Sequence, residues 1–328
     1  MAAERLDWVD GAKGICILLV VMFHATLHLT PVLGVGAFAE ITHFSGPFRM
    51  PDFFLISGLF LSRRLHAPDR IFYDRKVLHF FYFYWLWVVI TFVALHADMG
   101  ALARALLYPA GHLWFIYCLP LCFVLARLTR GLPPPLVWLA AVAAHVFDVD
   151  GEPLLLVYLS YYFVFFYTGH LASSLIFRLA QESKNRPVFA VAGLLLWAAL
   201  NAFFTHGPGT GFPGLSLVLG VTGGLAIAVI ASLAMSGAMG RLLAWLGARS
   251  IVVYLGFFLP MKAAETVLIA QTVPADLAIG LAIAAGVGAP LLLHALLVRL
   301  RIGRWLFERP DWARLHAGKL NADIRAPG

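Results

Sequence analysis

Long apolar segments recur along the whole chain, and their length constrains the fold more than any other feature. A helix that crosses the hydrocarbon core of a membrane needs about 20 mostly apolar residues. We identify ten candidates, of which the second and fifth are short: 14–33, 50–62, 77–97, 113–128, 135–148, 154–177, 187–205, 213–236, 248–271 and 276–299. The segments lack the alternation of a β-strand. They predict an all-α, polytopic membrane helix bundle of about ten transmembrane helices.

Composition agrees with a membrane environment. Hydrophobic residues make up 61% of the 328 residues and charged residues only 12%, whereas soluble domains have about half and a quarter. The net charge of +7 is attributed to basic residues kept in cytoplasmic loops, so no nucleic acid is expected as a partner. The three cysteines lie in apolar segments without metal-ligand spacing, and the sequence predicts neither a disulfide framework nor a metal site.

The loops alternate between basic and non-basic along the chain. Lys and Arg are concentrated after the second, fourth, sixth, eighth and tenth segments and are rare or absent in the loops between. Because basic loops stay in the cytoplasm, both termini are predicted to be cytoplasmic. The first helix is predicted to be an uncleaved signal-anchor.

We predict one domain over residues 1–302 and a short basic cytoplasmic tail over 303–328. Trp305, Phe307 and Trp312 lie among arginines in this tail. That pattern is typical of an amphipathic segment at the membrane surface.

Ionisable side chains at membrane depth are costly and often functional, and helix 1 carries two. Lys13 and His24 are eleven residues apart, which is roughly 16 Å along a helix. Lys13 would lie at the cytoplasmic face and His24 near the midplane, with His28 one turn beyond. A titratable imidazole at that depth can act as a general base, although a lone buried His is more often a packing residue. Asp10 precedes Lys13 by three residues, either as a simple interfacial pair or as a partner that holds Lys13.

Helix 2 begins with a compact group of polar and small residues. Arg49 and Asp52 are placed to pair at i+3, with Pro51 in the first helical turn. Ser57 and Gly58 either allow close helix packing or contribute to a binding site.

The segment from Arg63 to Lys76 is the most basic internal loop. Topology alone would account for its charge. Alternatively, Arg75 and Lys76, which adjoin helix 3, bind the phosphates of a nucleotide-like donor. Lys262 and Glu265 are expected to neutralise each other at i,i+3. Further buried candidates are His79, His112, Trp114 and His170.

These residues resemble the acyltransferase-3 family of integral-membrane O-acyltransferases, in particular its small bacterial inner-membrane members. The family has an Arg, ten residues and then a His on its first helix, and Lys13 and His24 hold those positions here. Its second-helix motif is matched by Phe53, Phe54, Ser57 and Gly58. Family-like stretches also occur at Leu113, Trp114 and Phe115 and at Ser250 and Tyr254.

The resemblance implies an acyltransferase that moves an acetyl or other short acyl group from acyl-coenzyme A to a hydroxyl, often on a surface carbohydrate. It implies His24 as the base and Lys13 as a helper in holding the donor. Asp10, Arg75, Lys76, Arg49, Ser57 and Trp114 are the predicted substrate-binding residues. No permanently bound cofactor is expected, because acyl-coenzyme A is a substrate. The other partner is the lipid bilayer, which the resemblance implies to be a bacterial inner membrane.

The sequence departs from the family pattern in three places. Lys13 keeps the charge of Arg but lacks its planar fork. Phe257 stands where many relatives have a His, and the basic residues of the first cytoplasmic loop are spaced differently. Two alternatives therefore stay open, namely a transporter or exporter of a small or lipid-linked metabolite, and a non-catalytic membrane partner on the same scaffold.

Overall fold

The computed structural model describes residues 7–96, 98–147, 154–207, 214–271 and 273–315, apart from the side chains of Arg63 and Arg64. Within these ranges the chain is helical and contains no strand. The α-helices are α1 Asp7–Leu33, α2 Ala37–Gly58, α3 Ser62–Leu65, α4 Asp69–Ala94, α5 Met99–Leu107, α6 Trp114–Leu128, α7 Pro134–Val146, α8 Leu154–Leu171, α9 Ser173–Asn185, α10 Pro187–His206, α11 Leu215–Ala234, α12 Ala238–Gly247, α13 Ser250–Gly256, α14 Phe258–Ala270 and α15 Ala275–Leu300. Short 3₁₀ turns occur at Gly111–Leu113, Arg304–Leu306 and Asp311–Ala313.

The predicted all-α membrane bundle is confirmed, but the number of ten spans is not. Seven described helical segments are long and apolar enough to cross a membrane, or eight if the bent pair α12 and α13, which meet at 60°, is one span. The seven are Asp7–Leu33, Asp69–Ala94, Met99–Leu128, Leu154–Leu171, Pro187–His206, Leu215–Ala234 and Ala275–Leu300. Helix α7, the predicted fifth span, is apolar but shorter than this group.

Helix α2 differs most from its predicted bounds. It begins at Ala37, well before the predicted start at residue 50, and continues through Pro47 and Pro51. Pro51 is therefore inside the helix and not in its first turn. Membrane helices tolerate internal proline because neighbouring groups satisfy the freed carbonyls, and the polar residues of 40–49 hid the helical start from an apolarity criterion.

The predicted ninth span, 248–271, is broken in two. Helix α13 ends at Gly256 and α14 starts at Phe258. Pro260 explains the break, because its ring would clash with the carbonyl of residue 256 and it has no N–H to donate.

The chain after α15 packs against the bundle. Phe307 is buried beside Trp87, with ring centroids 5.4 Å apart. Arg309 is also buried and forms a 2.6 Å ion pair with Asp74, which lies in a π-helical turn of α4, Asp74–Leu78. Trp305 and Trp312 are exposed as predicted for a surface segment, whereas Phe307 is not.

Glycines let the backbones of α1 and α12 approach each other closely. A Cβ on Gly14 would lie 2.1 Å from the Leu243 carbonyl oxygen, and one on Gly247 would lie 1.7 Å from that of Asp10. Helices α1 and α12 are therefore in direct backbone contact. Small residues allow such contacts in membranes, where dispersion and polar contacts replace the hydrophobic effect between helices.

Candidate active site

Lys13 lies at the edge of a cavity inside the bundle. Its Nζ is 3.3 Å from Asp10 Oδ1, so the predicted pair is present, and about a third of its side chain is exposed. The cavity has a volume of about 150 Å³, and α1, α2, α4, α6 and α13 contribute to its wall. Its lining residues are Lys13, Phe53, Ile56, Ser57, Phe80, Phe115, Ile116, Leu119, Ser250, Ile251 and Tyr254.

Ser57 and Gly58, for which the sequence allowed either packing or binding, have different surroundings. Ser57 lines the cavity, and its hydroxyl donates a 2.7 Å hydrogen bond to the Phe53 carbonyl. Gly58 allows close packing, because a Cβ there would lie 1.9 Å from the Phe166 carbonyl oxygen of α8. The close contact of Gly58 with α8 thus places the Ser57 side chain at the cavity.

Tyr254 connects the cavity to the histidines of the bundle. Its hydroxyl donates a 2.7 Å hydrogen bond to the His112 carbonyl. The His112 ring lies 6.5 Å from the His24 ring, centroid to centroid. The Nε2 atom of His112 is buried without a hydrogen-bond partner in the described structure. A chain of contacts therefore runs from the cavity through Tyr254 and His112 to His24.

His24 lies among aromatic rings in the interior, outside the set of residues that line the cavity. Phe257 packs against it with ring centroids 5.1 Å apart, and His28 follows at 6.4 Å. Phe257, the position where many relatives have a His, is thus in contact with the predicted base. An imidazole there would give His24 a further polar neighbour besides His28 and His112, whereas the phenyl ring is apolar.

Arg49 approaches the same region from α2. Its guanidinium carbon lies 3.9 Å from the centre of the Phe23 ring, and Nη1 donates to the Thr42 carbonyl at 3.2 Å. The sequence predicted Asp52 as the partner of Arg49, whereas in the structure Arg49 donates its hydrogen bond to the Thr42 carbonyl. Asp52 is fully buried, with Cys16 Sγ 4.0 Å from one carboxylate oxygen and no hydrogen-bond partner on the other among the described residues.

The two predicted donor-binding cations lie in the π-helical turn of α4. Lys76 Nζ is 4.7 Å from the centre of the Phe123 ring. The Phe123 ring stacks on Phe80 at 6.4 Å, and Phe80 lines the cavity. Arg75 is half-buried in the same turn. The Phe123 ring therefore contacts both Lys76 and Phe80, which lines the cavity.

Trp114 belongs to an aromatic stack and not to the cavity wall. Its ring lies 4.6 Å from Tyr158 and 4.9 Å from Tyr162, and Tyr162 stacks on Phe54 at 4.9 Å. Its neighbour Phe115 is the one that reaches the cavity. Trp114 therefore packs in the layer of rings behind the residues that line the cavity.

Glu265 has two basic neighbours. The predicted pair with Lys262 is confirmed at 3.6 Å, and His28 Nδ1 lies 3.2 Å from the same carboxylate. Sequence analysis missed the contact with His28, because the two residues are 237 positions apart. For the same reason it could not place Phe80, Ile251 and Leu119 on the cavity wall, since apolar residues of this kind occur throughout the chain.

The fold and the site define a helical membrane protein with a small internal cavity bounded by a lysine, two serines and a tyrosine. The sequence model of the acyltransferase-3 family, described as an acyltransferase domain, matches residues 6–295. This chain belongs to that family. It is an acyltransferase-family protein of the membrane, as the resemblance on α1 and α2 predicted.

One curated relative is the inner membrane protein YcfT of Escherichia coli (strain K12). It is 26% identical over a match that covers 39% of this chain and 45% of the relative, so the chain matches less than half of that protein's length. The likeness supports the predicted location in an inner membrane. No solved structure matches the chain.

Proposed function

We propose that this protein transfers a short acyl group, such as acetyl, from acyl-coenzyme A to a hydroxyl of a carbohydrate or related acceptor. The carrying observation is that Lys13 and Ser57, from two separate motifs, line one cavity together with Ser250 and Tyr254. Four positions that carry the family resemblance thus converge on one small space, although they lie on α1, α2 and α13.

The size of the cavity supports a short acyl chain. Its volume of about 150 Å³ is well below the roughly 300–1,000 Å³ of pockets that enclose drug-sized ligands. The acyl thioester end of the donor would enter through this cavity and reach past Tyr254 and His112 toward His24, and the nucleotide end would stay outside. The phosphates of the nucleotide end would bind to the ammonium groups of Lys13 and Lys76 and to the planar guanidinium of Arg75.

The proposed reaction needs one base and one leaving group. His24 takes the proton of the acceptor hydroxyl, and the hydroxyl oxygen attacks the thioester carbonyl carbon. The new ester C–O bond forms as the C–S bond breaks, and the departing thiolate takes the proton from His24 to give free coenzyme A. Such a positioned base contributes about 10²–10⁴-fold to the rate.

The test is transfer of radiolabelled acetyl from acetyl-coenzyme A to membrane acceptors by purified protein returned to its native membranes. We expect His24→Ala to lower transfer by about 10²-fold or more while the variant stays folded by size-exclusion profile. The matched control is His96→Asn, an exposed residue with a positive φ of 53° that Asn tolerates. Full transfer by folded His24→Ala would overturn the catalytic role.

Donor binding separates this proposal from a transporter or a non-catalytic partner. Acetyl-coenzyme A should raise the melting temperature of the purified protein, and Lys13→Met should weaken that stabilisation. Lys184→Met, at the exposed end of α9, is the charge-matched control and should leave it unchanged. Lys13→Arg should preserve it, since Arg is the family residue. Absence of any stabilisation of the wild-type protein would favour the two alternatives.

A further inference from the structure

A second cluster of polar side chains lies where α2 begins and α10 ends. Glu40 and His43 are one turn apart on α2, and His206 is the last residue of α10. One ligand atom from each residue can be chosen so that all three lie within 4.8 Å of one another. No sequence spacing predicted this cluster, because His206 is 166 positions from Glu40.

One pair of atoms in this cluster already has the separation of metal ligands. His206 Nε2 is 3.3 Å from Glu40 Oε2, which is the edge of a tetrahedron whose bonds are about 2.0–2.1 Å, as in zinc sites. The His43 and His206 rings are 4.6 Å apart and nearly perpendicular. Two imidazoles and one carboxylate form a donor set that zinc accepts, with a fourth position left for water.

The ring orientation of His206 is also suited to a metal. Its Nδ1 lies 3.2 Å from the Ala202 carbonyl oxygen, and a carbonyl can only accept, so Nδ1 carries the proton. Nε2 faces the Glu40 carboxylate, which also can only accept, so a metal ion bound there would take the place of a proton on Nε2. Metal-binding histidines are oriented in this way by a carbonyl or carboxylate on the other ring nitrogen.

The two helices that carry the cluster are held in place by other contacts. The Asp276 carboxylate accepts hydrogen bonds from the Ala37 and Phe38 amides at 3.1 and 3.3 Å and so anchors the first turn of α2. Asn201 of α10 donates to the Phe44 carbonyl at 2.9 Å. The separation of the three side chains therefore does not depend on flexible loops.

We propose that Glu40, His43 and His206 bind one divalent transition-metal ion, with zinc as the best match, and that the ion joins α2 to α10. Under the predicted topology the site lies on the face away from the cytoplasm. It is built on helix ends that are separate from the Lys13 cavity, so it does not depend on the proposed acyl transfer.

The test uses untagged full-length protein in detergent, dialysed against EDTA and titrated with Co²⁺, whose visible absorption reports tetrahedral coordination. We expect one equivalent per chain, displaced by Zn²⁺. His206→Ala and Glu40→Gln should each weaken Co²⁺ binding by about 100-fold or more, beyond the roughly 10–100-fold effect of losing an outer partner. His66→Gln, an exposed histidine elsewhere, should bind as the wild type does.

A second measurement separates a ligand from a residue that only supports the fold. Zn²⁺ should raise the melting temperature of the wild-type protein and of His66→Gln, and should not raise that of Glu40→Gln, whose side chain is exposed and whose loss is compatible with folding. Absence of stoichiometric Co²⁺ binding by the folded wild type, or wild-type affinity in Glu40→Gln, would overturn the proposal and leave a Glu–His ion pair only.

Discussion

Helices α1 and α10 are equally apolar, but a much larger part of α1 is buried inside the protein. Both have a mean hydropathy of 2.0 in their most apolar window, but 39% of that window is buried in α1 and only 6% in α10. In a membrane, lipid and protein are both apolar solvents for a side chain, so apolarity does not decide which helix is central. The difference lies in the small and polar residues, which bring α1 into backbone contact with α12 and leave α10 facing outward.

The largest expected effect comes from placing the same methyl group on each helix. Gly14→Ala puts a Cβ 2.1 Å from the Leu243 carbonyl oxygen, whereas Gly193→Ala on α10 meets nothing within 4 Å. We expect Gly14→Ala to separate α1 from α12 and to abolish recovery of monodisperse protein or lower the melting temperature strongly. Gly193→Ala should be neutral or stabilising by up to about 1 kcal/mol. Equal melting temperatures would show that the close contact is unimportant.

A smaller effect is expected from truncating one large side chain on each helix. Ile17 on α1 is fully buried and Leu195 on α10 is 68% exposed. Ile17→Ala leaves a cavity and should cost about 2 kcal/mol or more of stability. Leu195→Ala shortens a side chain that faces lipid, and the lipid can fill the space, so the loss of stability should be small. Melting temperatures measured in one detergent decide this, and a larger loss in Leu195→Ala would contradict the assigned burial.

The smallest expected effect sharpens the comparison by removing a polar contact of α10. Asn201 is the buried residue of this helix, and its side chain donates to the Phe44 carbonyl. Asn201→Leu should lower the free energy of unfolding by about 1 kcal/mol, as interhelical hydrogen bonds in membranes do. It should also weaken the proposed metal site, since Phe44 follows His43. Thr222→Val, which removes a hydroxyl bonded within α11, is the control.

Sequence reasoning reached the membrane bundle and the family, because apolar length and the motifs on α1 and α2 are local signals. It did not foresee the start of α2, where Glu40, His43 and Arg49 lower apolarity within a continuous helix. It identified Lys13, Ser57 and Tyr254 one by one. That they share a cavity, and that Trp114 stands behind its wall, depends on how distant helices pack, for which a single sequence carries no signal.

The ion pair between Asp74 and Arg309 has a consequence for the order in which the protein is completed. Arg309 leaves the ribosome after almost every other described residue, yet it neutralises a carboxylate buried in the turn that carries Arg75 and Lys76. A nascent chain that stops before residue 309 would leave that carboxylate without this cation and without the Leu315 amide, which also donates to it. The turn that carries Arg75 and Lys76 therefore reaches its final form only after residue 309 has been synthesised, and products truncated before that residue lack it.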